Sequence, residues 1–126
     1  MTKIMIVDDE QDVELLFRQK FRKELKGGEF VFHFAFNGED AVNYLRTLHP
    51  FDLVLVLSDI NMPGMTGLEL LRIIRNDFPN LRVMMVTAYG DDNNFSKAME
   101  IGANDFVTKP VDFSLLKEKI QKFNLS

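Results

Sequence analysis

The sequence predicts an α/β domain built on a parallel sheet, and three observations lead there. Short apolar runs alternate with longer segments of helical period, five times over. The runs at 4–7, 53–57 and 83–86 are apolar at successive rather than alternate positions, as strands covered on both faces are. The turns between runs carry helix-start and helix-stop residues in the appropriate order. Right-handed crossovers then place helices on both faces of the sheet.

The elements follow in order. "KIMIV" (3–7) is the first strand. In 11–26 the residues Val13, Leu16, Phe17, Phe21 and Leu25 share one helical face, and Gly27-Gly28 closes that helix. "FVFHFAF" (30–36) sets Phe30, Phe32, Phe34 and Phe36 at period two, a pattern of core packing, while His33 marks the run as an edge strand. Asn37 before Gly-Glu-Asp is an N-cap with acids in the first turn, and Pro50 stands past that helix. "LVLVLS" (53–58) is the third strand. Thr66-Gly-Leu-Glu69 is a capping box for the third helix, which Pro79 follows. "RVMMVT" (82–87) is the fourth strand. The helix at 92–101 has the thinnest apolar stripe (Phe95, Ala98, Met99) and stops at Gly102. "DFVT" (105–108) is a short last strand. In 112–123 Phe113, Leu116, Ile120 and Phe123 step by three and four. With strands 2 and 5 at the edges, the order is 2-1-3-4-5, a flavodoxin-like (βα)5 three-layer sandwich. No linker, repeat or low-complexity segment interrupts it, so a single domain over 1–126 is expected.

Composition agrees. A chain of 126 residues can bury a sizeable core, and 46% hydrophobic with 27% charged residues is a globular rather than a disordered balance. The absence of cysteine excludes disulfides and thiolate metal sites. A formal charge of −4 gives no general attraction to nucleic acid or membrane phosphate. The start "MTKIMIVDDE" lacks a secretory n-region and cleavage site, and no apolar run is long enough to span a bilayer. A cytoplasmic location, with no direct nucleic-acid or membrane partner, is the expectation.

In such sheets the ligand site lies outside the carboxyl ends of the strands, near the switch point between strands 1 and 3. Strand 1 ends in Asp8-Asp9-Glu10, strand 3 in Asp59 and strand 4 in Thr87, and Lys109 follows strand 5. Each has an ordinary reading: Asp8 and Asp9 as caps of the first helix, Thr87 as a hydroxyl bonding its own loop, Lys109 as a solvated lysine. Together they are harder to dismiss. Carboxylates crowded into one small site cannot all stay ionised without a cation. Mg2+, a hard ion that takes one or two carboxylates plus water and phosphate oxygens, relieves that repulsion. Lys109 adds a positive charge and Thr87 a donor, which together suit a phosphoryl group with a carboxylate as its nucleophile. Pro63-Gly64 is a turn pair that fixes the backbone after Asp59, where the Asn61 carbonyl is a candidate metal ligand. Pro110 allows a cis peptide after Lys109 that would turn the lysine toward the site.

The pieces "IMIVDDE", "SDINMPGMTG", "MVTAYG" and "GANDFVTKPVDF", in that order, resemble the receiver domain of two-component response regulators, over Lys3 to Phe123. The resemblance implies that Asp59 is the phosphoacceptor. It implies that Asp8 and Asp9 hold Mg2+, Asp9 directly and Asp8 chiefly through water, with the Asn61 carbonyl as a further ligand. Lys109 would bind the phosphoryl group, with Pro110 after a cis bond, and Thr87 and Phe106 would be the switch hydroxyl and switch aromatic. The implied donor is a sensor histidine kinase or histidine phosphotransfer protein. The implied output is a downstream protein effector that reads the face of helix 92–101, strand 5 and the last helix. Such a domain catalyses only its own phosphorylation and dephosphorylation and is not a conventional enzyme. No output segment follows Phe123, which suits either a stand-alone receiver or a fragment of a longer regulator.

Two departures stand out. Six residues, "LVLVLS", separate Asp52 from Asp59 where the family commonly has four, and an insertion of two keeps the in/out parity of the strand. Ser58 stands before the acceptor where an apolar residue is usual. Three rivals fit less well. A phosphatase of the haloacid dehalogenase type needs an acid two residues after its nucleophile, where this chain has Asn61. A nucleotide binder would not set three acids after strand 1, because they repel phosphate. A receiver-shaped module that is never phosphorylated usually lacks one of the acids or the lysine. His33 and His49 are not on helix faces suited to phosphoryl relay. Lys117, Lys119 and Lys122 read as a solvated face that is also available to a partner.

Overall fold

The computed structural model describes residues 2–47 and 55–124. Five strands, β1 (Thr2–Val7), β2 (Phe30–Ala35), β3 (Leu55–Asp59), β4 (Arg82–Thr87) and β5 (Asp105–Thr108), pair in parallel in the order β2-β1-β3-β4-β5. The helices are α1 (Asp12–Lys20), α2 (Arg22–Lys26), α3 (Gly38–Arg46), α4 (Gly67–Asp77), α5 (Asp92–Ile101) and α6 (Phe113–Asn124). The expected order, edge strands and three layers are all present.

Alternation along the strands divides the core in two. Met5, Val7, Val56, Val83 and Met85 face α3 and α4 through Ala41, Leu45, Leu70, Leu71 and Ile74. Ile4, Ile6, Leu57, Met84 and Val86 face α1, α2 and α6 through Phe17, Phe21, Leu116 and Ile120. Each fully buried large aliphatic side chain contributes about 1.5–3 kcal/mol. These two faces grip the central strands and fix the register at their ends: Val7 opposite Ser58, Asp59 opposite Val86, Thr87 opposite Thr108.

The local signals act as expected. Asn37 accepts from the Asp40 N–H at 2.8 Å, and Thr66 with Glu69 forms the capping box. Gly102 ends α5 at φ 122°, a conformation glycine alone adopts without strain.

Four expectations need correction. The first helix breaks at Phe21 (φ −105°, ψ 20°), although hydrogen bonds from Phe21 to Phe17 and from Leu25 to Phe21 run through the break. Phe21 is fully buried, with the rings of Phe17, Phe30, Phe32 and Phe113 between 5.2 and 6.0 Å away; tertiary packing there overrides helix continuity. Leu16 does not join the buried stripe but stays 42% exposed. Two lysines of the last helix are not free on a solvated face. Lys117 pairs with Glu24 and Lys119 with Asp105, each at 2.9 Å. Phe30, Phe32 and Phe34 pack with the second cluster, whereas Phe36 lies past the strand and lines a groove with Tyr44. His33 stacks on Tyr44 at 3.5 Å. His49, Pro50, Asp52 and the first two residues of the six-residue run before Asp59 lie outside the described residues.

Candidate functional site

The carboxyl ends of β1, β3, β4 and β5 open at one end of the sheet, and the polar residues of these four segments meet there. Asp59 is the last residue of β3 and only 6% exposed; Asp8, just past β1, is 7% exposed. The two buried acids and the exposed Asp9 each offer a carboxylate oxygen, all within 4.8 Å of one another. The Lys109 ammonium lies 2.8 Å from Asp59 Oδ2 and 3.9 Å from Asp8 Oδ2, so one cation bridges two buried anions. The Lys109–Pro110 peptide is cis.

The electrostatics follow from crowding. Burial raises the Asp8 carboxyl above the ordinary carboxylate range and the Asp59 charge adds to this, opposed by the Glu10 N–H that donates to Asp8 Oδ1 at 2.9 Å. Burial also works against the Lys109 charge. The hydrogen bond to Asp59, with the charges of Asp59, Asp8 and Glu10, outweighs it and holds the ammonium above its usual pKa. Three carboxylates with one lysine are a net anionic set of hard oxygen donors, which fits a small divalent cation of the Mg2+ kind.

The loop after Asp59 is fixed along its length. The Ile60 N–H donates to the Val86 carbonyl at 3.2 Å, and the Asn61 N–H reaches Asp59 Oδ1 at 3.4 Å. Met62 is buried and Gly64 turns at φ 72°. The Gly67 N–H closes the loop on the Ile60 carbonyl at 2.7 Å. A Cβ on Gly67 would stand 2.1 Å from the Asp59 carbonyl oxygen, so only glycine lets α4 start this close to the strand. The sequence shows a glycine after a cap; the backbone contact becomes visible only in three dimensions.

On the other side of the site, Thr87 ends β4 with 3% exposure, and its hydroxyl donates to the Val107 carbonyl at 3.4 Å rather than to an acid. Phe106 is half-buried, edge-on to Phe95 at 4.3 Å, with the Lys119 ammonium 5.5 Å from its ring. An apolar groove of about 320 Å³ opens beside Asp8 and Lys109, walled by Val13, Leu16, Val111 and Phe113. The hydroxyl of Ser58, nearly fully buried, donates to the Asp59 carbonyl at 3.0 Å. Sequence reading marks this residue as unusual without locating that bond.

Comparison with known proteins agrees with this geometry. The sequence model of the response regulator receiver domain matches residues 4–121. The chain is 35% identical over 122 residues to the chemotaxis protein CheY of Pseudomonas aeruginosa, covering 95% of this chain and 94% of that protein. It is also 35% identical over 121 residues to the sporulation initiation phosphotransferase F of Bacillus subtilis, covering 96% and 92%. Among solved structures, the receiver domain of NtrX from Brucella abortus superposes with a TM-score of 0.80 at 28% identity, covering 95% of this chain and 96% of that one.

Proposed function

The chain belongs to the response regulator receiver family, a family of signalling domains rather than classical enzymes, and from that premise we propose that Asp59 is its phosphoacceptor. The observation that carries this reading is the meeting of Asp8, Asp9, Asp59 and Lys109 at the carboxyl end of the sheet, with the Lys109 ammonium 2.8 Å from Asp59. Asp8, Asp9, Asp59 and the Asn61 carbonyl would hold Mg2+. Bound there, the ion would neutralise charge gathering on the phosphoryl oxygens.

The residues of the chain do the rest. A carboxylate oxygen of Asp59 attacks the phosphorus of a phosphohistidine donor; the P–O bond forms as the P–N bond breaks, and the imidazole leaves with the electron pair and takes up a proton. Lys109 turns from Asp59 to the incoming phosphoryl oxygens and offsets their charge. Dephosphorylation is attack of water on the same phosphorus, which restores the Asp59 carboxylate. The donor is a sensor histidine kinase or a histidine phosphotransfer protein, and the apolar groove with half-exposed Leu16 beside the acids offers it a dock.

Output follows from Thr87 and Phe106. Once a phosphoryl oxygen is within reach, the Thr87 hydroxyl exchanges its long bond to Val107 for a charge-assisted one. The space left over β5 lets Phe106 turn inward, away from Phe95. The α5–β5–α6 face then changes, and a downstream protein effector reads it.

The test is incubation with a small-molecule phosphodonor and Mg2+, read by intact mass. Wild type is expected to gain one phosphoryl group and Asp59→Asn none. No adduct in wild type, or an equal adduct in the variant, would overturn the assignment.

A further inference from the structure

Ser58 is a hydroxyl in an otherwise apolar row. It lies on the face of β3 that carries Val56, beside Val7 of β1 and Met85 of β4, and it is 1% exposed. A buried hydroxyl costs about 1–3 kcal/mol unless it finds an acceptor. Its acceptor is the carbonyl of Asp59, at 3.0 Å.

That carbonyl belongs to the peptide unit immediately after the acceptor side chain, and the unit is held from several directions. Its N–H, on Ile60, donates to the Val86 carbonyl at 3.2 Å. Its oxygen receives the Ser58 hydroxyl and abuts Gly67, where a Cβ would be 2.1 Å away. The next carbonyl, of Ile60, accepts from the Gly67 N–H at 2.7 Å. Rotation of this peptide plane changes ψ of Asp59, which moves Asn61 relative to the Asp59 carboxylate; the Asn61 N–H already touches Asp59 Oδ1. β4 restrains the N–H edge of the plane, while Ser58 and Gly67 restrain the oxygen edge.

We infer that Ser58 is a positioning residue for phosphoryl transfer: its hydroxyl orients the Asp59–Ile60 peptide and so aims the Asp59 carboxylate. The inference rests on Asp59 being the acceptor. Ser58 touches no reacting atom and acts through the backbone of Asp59, so its loss lowers the rate of transfer at saturating donor rather than abolishing it.

Thr and Val are nearly isosteric and differ in the hydroxyl, which makes Ser58→Thr and Ser58→Val the decisive pair. With a small phosphodonor and saturating Mg2+, Ser58→Thr is expected to react within about twofold of wild type and Ser58→Val roughly tenfold more slowly, the scale set by modest misalignment of a reacting group. The 13C resonance of the Asp59 carbonyl supplies a readout independent of turnover. It is expected to move upfield in Ser58→Val, where the donor is gone, and to stay near its wild-type position in Ser58→Thr. Should the larger side chains prevent folding, Ser58→Ala, which fits the site, is expected to show the same slow reaction and the same upfield shift. Equal rates in Ser58→Val, or in Ser58→Ala, and wild type overturn the inference while leaving Asp59 as acceptor. A wild-type protein that takes no phosphoryl group overturns the acceptor reading itself, and the positioning role with it.

Discussion

The helices that follow β3 and β4 are built to different standards. α4 begins with a two-way capping box, presses Gly67 against the Asp59 backbone, and buries Leu70, Leu71 and Ile74 completely. α5 begins with a simpler cap, Asp91 accepting from Asn94 at 3.3 Å, and Ala98 is its one buried residue. Its far end is held from outside: Arg75 of α4 donates to the carbonyl of Gly102 at 2.7 Å, to that of Leu81 and to the side chain of Asn104, both at 2.6 Å. The contrast sets a tightly packed flank of the site against a sparsely buried one. The strand that ends in Asp59 is backed by a helix with three fully buried side chains, while the strand that ends in Thr87 leads into a helix anchored chiefly at its far end. Sparse burial of this kind marks segments that open at low free-energy cost.

The largest expected effect lies on the α4 side. Leu71→Ala is expected to cost about 2–5 kcal/mol in denaturant unfolding, because it empties a fully enclosed position. A loss under 1 kcal/mol would mean that α4 is no stiffer than α5. Gly67→Ala is expected to cost about 1–3 kcal/mol, since its methyl would stand 2.1 Å from a backbone oxygen. It should also slow phosphoryl uptake, because relief of that contact has to move Asp59 or its loop. A stable Gly67→Ala protein with wild-type uptake would show that the close approach is incidental to the site.

A pH experiment probes the cost of crowding acids against a frame that cannot relax. The folded-state pKa of Asp8 is raised, so between the unfolded and folded values the native state binds more protons. In metal-free protein this group therefore costs stability at neutral pH, and the cost is relieved as pH falls through the folded pKa toward the ordinary carboxylate range. Asp8→Asn is expected to be more stable than wild type at pH 7 in chelator, with the difference shrinking as pH drops through that window. A constant difference would place its origin outside Asp8 ionisation. The smallest effect belongs to α5: Met99→Ala, at a position 39% exposed, is expected to shift stability by no more than about 0.5 kcal/mol. Native-state hydrogen exchange should meanwhile show α5 amides opening at lower free energy than those of α4.

Much of this is legible in the sequence for definite physical reasons. Parallel strands covered on both faces leave continuous apolar runs, and helix ends need particular residues, so Asn37, Thr66, Glu69 and Gly102 mark boundaries directly. The candidate site is legible because the topology brings strand ends together, which makes four separated segments neighbours. What the sequence conceals are contacts that depend on packing at ångström scale. Phe21 reads as one more position in a helical stripe, yet its ring interrupts the helix. Asp8 and Asp9 are adjacent and chemically alike, but the first is buried and the second exposed. Arg75 has no motif to mark it, and its three partners, 6 to 29 residues further along the chain, are brought around it only by the fold.

The acceptor assignment is tested most directly by trapping the acyl phosphate. Borohydride reduces an aspartyl phosphate to homoserine, and peptide sequencing then locates the reduced residue. After treatment with phosphodonor and Mg2+, homoserine is expected at position 59 alone, and at no position when Mg2+ is chelated. Homoserine at Asp8 or Asp9, or none at position 59 in protein that has gained a phosphoryl group by mass, would contradict the assignment.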